Sequence, residues 1–336
     1  MSDRMNQLRP PALRGDDPLG FLAAVGLVAL AEQMPDVLGP IRLGWEGARA
    51  PKAVLESTSS SLDDLKERLD RAFDAAQANG AVLPGIGPHF PVKKMGTHGG
   101  DPMRMDEKTA SSRRQRALDD YLGGERWLSR WVSAFVAPFA MHEKGFLEMT
   151  AFSAPVGQMT LRGVFDQAVS FVSRSGGPSD ALTGWRRAED YQGANLDSRA
   201  VRTAEFRTDG QPQPYGAPSP TWLALMGVRL FPITDQGRRA RTTAWLPVAL
   251  YRGYTRRSLV WPIWEPPLDS PAIRVLLSDP ILNATARGRE EVERRLRESA
   301  SRLRALGVTS VFGASRRTAD HGDGPLGPAV MLWTGG

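Results

Sequence analysis

The chain has 336 residues, 41% of them hydrophobic and 24% charged, and no cysteine. Its length admits one large domain or two moderate ones of about 100–200 residues. The missing cysteine excludes disulfides, thiolate zinc sites, cysteine-ligated iron–sulfur clusters and a cysteine nucleophile, and fits a reducing cytoplasm. Lys+Arg 43 against Asp+Glu 37 leaves a charge of +6 and a pI near 9.9, which favours acidic partners such as nucleic acid.

In chain order, the first predicted element is a helix from Asp16. Asp16 or Asp17 caps it, Pro18 suits its first position, and it ends near Met34 before Pro35. Its apolar residues surround the axis, which predicts burial on all sides, with close packing as the reason for Gly20 and Gly26. The uncharged apolar run Pro18–Ala31 is too short for a membrane span of about twenty residues. Asp16 and Asp17 directly before it, and no small-residue cleavage site after it, argue against a signal peptide. A strand with Trp45 is expected at Ile41–Glu46. Ser61 opens a second helix, with Asp64 at capping-box spacing, an apolar stripe of Leu62, Leu65, Leu69, Phe73 and Ala76, and Gly80 closing it. From Pro84 to Arg116 periodicity vanishes, and seven Lys/Arg stand against three acids, so a basic loop or linker is expected.

A helix is read at Leu118–Ala137, a strand at Phe146–Phe152 and a helix at Leu161–Val172. Ser173–Pro220 reads as irregular, and Trp222–Ile233 as a helix leading into a short strand. Thr242–Tyr251 and Ser258–Trp264 read as paired strands joined by the basic turn Arg252–Arg257. Trp261–Pro267 is either a core strand ending in a Pro turn or a Trp-rich docking surface. The last helix, from Glu290 to Leu306 with Gly307 as its cap, places acids in the first turn and arginines in the last. Val308–Phe312 and Ala329–Trp333 read as strands. The sum is an α+β fold with a mostly antiparallel sheet and long Arg/Gly/Pro-rich loops. Its expected division is residues 1–83 as an N-terminal helical lobe, 84–116 as linker and 117–336 as a mixed lobe, the two lobes being separate or continuous.

Catalytic patterns are sparse. The four histidines, His89, His98, His142 and His321, show no metal spacing, and no phosphate loop or Gly-x-Ser-x-Gly elbow is present. A metal-dependent hydrolase or nuclease built from His89, His98, Asp101 and Asp106 is the one enzymatic alternative, and no cofactor is expected. Arginine is more informative: with six lysines among the 43 basic residues, 37 are Arg. Four loop-borne clusters stand out, namely Arg113, Arg114 and Arg116; Arg186 and Arg187; Arg238, Arg239 and Arg241; and Arg256 and Arg257. Trp185, Tyr191, Trp245, Tyr251 and Tyr254 lie close to three of them. Guanidinium groups with interleaved aromatics can hold a phosphate backbone and stack bases. Solvated loop charge and codon bias towards Arg, Ala, Gly and Pro account for the same composition.

The opening Leu13-Arg14-Gly15-Asp16-Asp17-Pro18-Leu19-Gly20-Phe21-Leu22-Ala23-Ala24-Val25-Gly26-Leu27 resembles the start of proteins found with type I-G (formerly I-U) CRISPR systems. Leu43-Gly44-Trp45-Glu46, Trp222–Pro232, Leu259–Trp264 and the closing Gly307-Val308…Val311-Phe312…Arg316-Arg317 are similar as well and follow in the same order. The match points to the small family known as an extension of the CRISPR helicase-nuclease. That resemblance implies a non-catalytic accessory or effector-complex component of an antiviral defence system. Its partners would be crRNA or target DNA and other CRISPR effector subunits or the helicase-nuclease, with no membrane. It carries over no catalytic residues, and the chain lacks the His–Asp metal motif and helicase phosphate loop of the nuclease-helicase. The Arg clusters are then the expected nucleic-acid contacts.

Overall fold

The computed structural model describes residues 5–87, 90–91, 107–124, 126–141, 147–153, 160–206, 212–236, 239–319 and 322–335. Asp17 starts the first helix. Its carboxylate accepts from the Leu19 and Gly20 N–H groups at 2.9 and 3.1 Å, satisfying donors that a helix leaves open at its start. The helix runs Pro18–Gln33, and every residue in it except Glu32 is buried. It packs on the helix Pro218–Gly227, which is buried throughout. Where the two cross, a Cβ on Gly26 would lie 1.8 Å from the Leu223 carbonyl oxygen, and one on Gly227 would lie 3.0 Å from Gly26 Cα. The glycines let the two backbones touch.

Antiparallel sheets surround this helix pair and make the fold α+β. The strands Asn6–Leu8, Lys52–Ser57 and Ile41–Glu46 form a three-stranded sheet, with Lys52–Ser57 in the middle. A five-stranded sheet is built on Tyr254–Trp264 and Val308–Ala319, paired as Trp261↔Phe312. Trp245–Leu246 flanks the first of these strands, and Gly322–Leu326 and Val330–Thr334 both pair with the second. Leu43 and Leu268 exchange backbone hydrogen bonds of 2.9 Å and join the smaller sheet to the segment after Trp264. Phe21 lies 5.5 Å from Trp261 and 6.0 Å from Trp45, ring centre to ring centre. Two of the buried indoles find acceptors, Trp261 Nε1 donating to Gly15 O at 2.8 Å and Trp264 Nε1 to Leu43 O at 2.7 Å. Trp261–Trp264 is therefore core strand, not a docking surface. Most buried hydrophobic residues, from Leu8 to Trp333, belong to one contiguous cluster, and Ala137, Ala140 and Ile233 form a small second one. Among the described residues no helix is long and apolar enough to cross a membrane.

Several boundaries differ from the sequence reading. The expected 84–116 loop gives way at Glu107 to a helix, Glu107–Leu122, which carries Arg113, Arg114 and Arg116. Its end at Gly123–Gly124, with Gly124 at φ +97°, breaks the single helix expected at Leu118–Ala137; a second helix runs Trp127–Phe135, followed by a strand Val136–Met141. Leu118, Tyr121 and Leu122, apolar residues of that expected helix, are 50%, 54% and 75% exposed. The last helix is likewise two, Arg289–Glu298 and Ala300–Ala305. Thr242 belongs to a separate hairpin, Ile233–Gln236 with Arg239–Thr242. The basic turn ends at Gly253, so Arg256 and Arg257 lie on the strand Tyr254–Trp264. Asn6–Leu8, Lys52–Ser57 and Val201–Phe206 are strands that the sequence pattern does not predict. In Lys52–Ser57 the buried positions are Ala53, Leu55 and Ser57, so only one large apolar side chain marks the alternation.

Gly26→Ala is expected to destabilise the protein by about 3 kcal/mol, because the added methyl overlaps backbone atoms that belong to a second buried helix. Urea unfolding of the variant measures the loss. A near-native midpoint would show that the crossing can open without cost.

Candidate anion-binding cleft

Glu32, the one residue of the opening helix that is not buried, sits in its last turn. Arg229 approaches from the short 3-10 turn Val228–Leu230. Its Nη1 lies 2.8 Å from Glu32 Oε2, and its Nη2 donates to Ala29 O. Arg130, on the helix Trp127–Phe135, donates to Glu32 Oε1 at 2.7 Å, and Ser270 Oγ donates to Oε2 at 2.6 Å. Burial by itself would raise the Glu32 pKa. The Arg229 and Arg130 charges and the Ser270 hydroxyl outweigh it and lower the pKa from the ordinary 4.5 to about 2. Burial pulls Arg229 down to about 10 against the attraction of Glu32, so it remains charged at neutral pH. The guanidinium carbons of Arg126, Arg229 and Arg130 lie 4.7, 4.9 and 5.3 Å from the Trp127 ring centre, within cation–π range.

Beyond this cluster opens a cleft of about 570 Å³, lined among others by Arg130, Arg229, Ser270, Arg274, Asp279 and Arg302. Arg274 comes from the helix Ser270–Leu277 and Arg302 from Ala300–Ala305. Arg302 Nη2 donates to Asp279 Oδ2 at 3.0 Å but its side chain stays 62% exposed. Arg274 is half-buried, and among the described residues its guanidinium has no hydrogen-bond or ion-pair partner. Burial depresses its pKa, Arg130 adds to that, and Glu32 opposes it. Four guanidinium groups thus face two carboxylates, and one lacks a counter-ion. The volume falls within the range of about 300–1,000 Å³ typical of small-molecule sites. What such an arrangement can do chemically is hold an oxyanion by charge-assisted hydrogen bonds.

Among the described residues, none of the arginines picked from sequence lines this cleft. Arg114 and Arg116 occupy the helix Glu107–Leu122, where Arg114 Nη2 lies 3.1 Å from Ser111 Oγ and Arg116 lies 4.0 Å from Asp120. Arg113 shares that helix. Arg186 is exposed and 3.2 Å from Asp180. Arg187 is turned inward, donating to the buried Asp197 at 2.9 Å and to Tyr215 O at 2.6 Å. Arg239 is exposed, Arg241 half-buried, and Arg238 lies outside the described residues. Arg256 is exposed, and Arg257 pairs with Asp323 at 2.7 Å. No common counter-ion links the four clusters among the described residues. Tyr191, read as a stacking partner, is fully buried, with its ring 4.8 Å from Phe171. His89, His98, Asp101 and Asp106, and with them the metal-site alternative, lie outside the described residues. Among the described residues no three His, Asp or Glu side chains gather as metal ligands.

The cleft arginines form no cluster in the chain: none has a second arginine adjacent, and Arg302 reads only as a charge of the last helical turn. A further arginine, Arg316, serves the core. It is fully buried, donates to the Asn195, Gly324, Ala151 and Phe152 carbonyls at 3.0–3.2 Å, and lies 4.9 Å from the Trp245 ring centre. Fold and site together define an α+β protein with an arginine-lined cleft. The chain matches no protein-family model and no curated protein.

Because the folded-state pKa of Glu32 is depressed, its stabilisation is complete above the ordinary carboxylate value and is lost as pH falls towards about 2. A loss on the order of 2–3 kcal/mol is expected between pH 4.5 and 2. Glu32→Gln removes that portion of the acid sensitivity and is destabilised by about 3 kcal/mol at pH 7, since Arg229 is left buried without its counter-charge. Urea titrations of both proteins at a series of pH values test this; parallel profiles would exclude Glu32 as the acid-sensitive group.

Proposed function

We propose that the protein binds the phosphate backbone of a nucleic acid through the cleft of Arg130, Arg229, Arg274 and Arg302. The observation that carries the reading is Arg274: a half-buried guanidinium in a concave site, with no hydrogen-bond or ion-pair partner among the described residues. A phosphodiester supplies the missing charge, and the neighbouring Arg302 extends the contact along a strand. Recognition by charge is sequence-tolerant, because phosphate oxygens are common to every nucleotide. Exposed Arg116, Arg186, Arg239 and Arg256 would add long-range attraction.

Within this reading the chain is a non-catalytic component of a type I-G-like CRISPR antiviral system. The support is the resemblance of its opening helix, its Trp-bearing strands and its closing segment to that group. Base pairing by the guide would carry sequence specificity, and the protein would hold backbone and neighbouring subunits. Recovery of the tagged chain from its native host together with a crRNA and effector subunits tests the assignment; recovery without nucleic acid counts against it.

For the cleft, fluorescence anisotropy with single-stranded RNA and DNA is the direct measurement. Affinity is expected to fall about tenfold or more between 50 and 200 mM salt as counterions compete. Arg274→Ala and Arg302→Ala should each weaken binding to all sequences alike and reduce the salt slope by about 1. Absence of binding at 50 mM salt would overturn the reading, and full affinity in both variants would move the interface away from the cleft.

A further inference from the structure

The cleft is not lined by cations alone. On the helix Ser270–Leu277, Ile273, Leu276 and Leu277 are buried. The other face carries Pro271, Arg274, Val275 and, directly after the helix, Ser278. These four follow the i, i+3, i+4, i+7 spacing of a single helical face, and all four line the cleft. Pro271 and Ser278 are exposed, and Val275 is 73% exposed. Pro280, also exposed, lines the same opening. The apolar strip therefore stands open to solvent.

The cations are spread along this strip. At the helix start, Ser270 Oγ donates to Glu32, which in turn holds Arg130 and Arg229. Arg274 stands midway. Past the helix end, Arg302 is tied to Asp279. The eight residues of the helix, at about 1.5 Å each, separate the two ends by about 12 Å. A lone phosphate or carboxylate reaches one end of that row and leaves the strip wet. A repeating anion reaches along it, and apolar groups carried between its charges gain affinity by covering Pro271 and Val275.

A nucleic-acid strand with unpaired bases has this chemistry. In a duplex the bases are stacked inside, so only phosphates and groove edges are offered. A cleft of about 570 Å³ takes a group of small-ligand size and not a double helix. Bases released from the stack lie against apolar side chains and guanidinium planes, and the cleft presents both.

We propose that the cleft selects single-stranded over double-stranded nucleic acid by seating an unpaired base on Pro271 and Val275, next to phosphates held by Arg274 and its neighbours. This rests on the phosphate-binding reading above and adds the base contact to it.

Fluorescence anisotropy of the full chain at about 50 mM salt tests it with three DNA probes of equal length: a single strand, its blunt duplex, and a strand of abasic residues that keeps the phosphates. The single strand is expected to bind about tenfold or more tighter than either of the others. Val275→Ser, at an exposed position, is expected to weaken the single strand about fivefold. It should leave the abasic strand and the salt slope unchanged, because no phosphate contact is lost. Arg274→Ala, by contrast, weakens all three probes and lowers the salt slope. Equal affinity for single strand and duplex, or for abasic and complete strands, overturns the base contact. If Arg274→Ala still weakens binding in that case, the phosphate reading stands without it. Full single-strand affinity in Val275→Ser also overturns the base contact. Absence of binding to all three probes overturns both readings, and Val275-dependent binding of an alternating Glu-Leu peptide then assigns the cleft to an acidic protein segment.

Discussion

The close crossing of Pro18–Gln33 and Pro218–Gly227 organises the molecule. Two backbones meet at Gly26 and Gly227 with no room for a methyl group between them. Glu32 follows Gly26 by six positions, about 9 Å along a helix that rises about 1.5 Å per residue, and Arg229 follows Gly227 by two. Setting the crossing therefore sets the buried ion pair between Glu32 and Arg229. Arg130 and Ser270 then converge on the same carboxylate from two further helices, so one packing contact determines where the back wall of the cleft stands.

That wall is electrostatically asymmetric. A single carboxylate serves two arginines, and in return it is held ionised far below its ordinary range. Removing a charge from water is expensive unless good geometry and further hydrogen bonds compensate, and here both oxygens of Glu32 are engaged. Arg274 lies outside this neutralised group. The helix that bears it is held by Ile273 and Leu277, both fully buried.

Arginine does two kinds of work in this protein. Arg187, Arg229 and Arg316 are interior residues, fixed by Asp197, by Glu32 and by four main-chain carbonyls respectively. Arg316 joins the segments around Phe152, Asn195 and Gly324 to the central strand. Arg274 keeps its donors in hand. A high arginine content is thus not by itself a binding signal, because the planar guanidinium that grips phosphate also satisfies buried carbonyls. What separates the two uses is whether the fold supplies acceptors.

The amino-acid sequence by itself determined the opening helix with an Asp16 or Asp17 cap and a Pro18 start, the strand Ile41–Glu46, the helix beginning at Leu161, the strand ending at Trp264 and the α+β class. These are local matters of capping, periodicity and continuous apolar runs. Short strands with small inward residues, such as Lys52–Ser57, and the break at Gly123–Gly124 left too weak a periodic signal. The cleft was not legible at all. Adjacent arginines attract notice in a chain, but Arg130, Arg229, Arg274 and Arg302 come together only through tertiary packing, from four segments up to 172 positions apart. Only the tertiary structure decided which guanidinium groups are neutralised inside and which stay unpartnered. That depends on acceptors brought from distant parts of the chain, and neither composition nor local spacing encodes it.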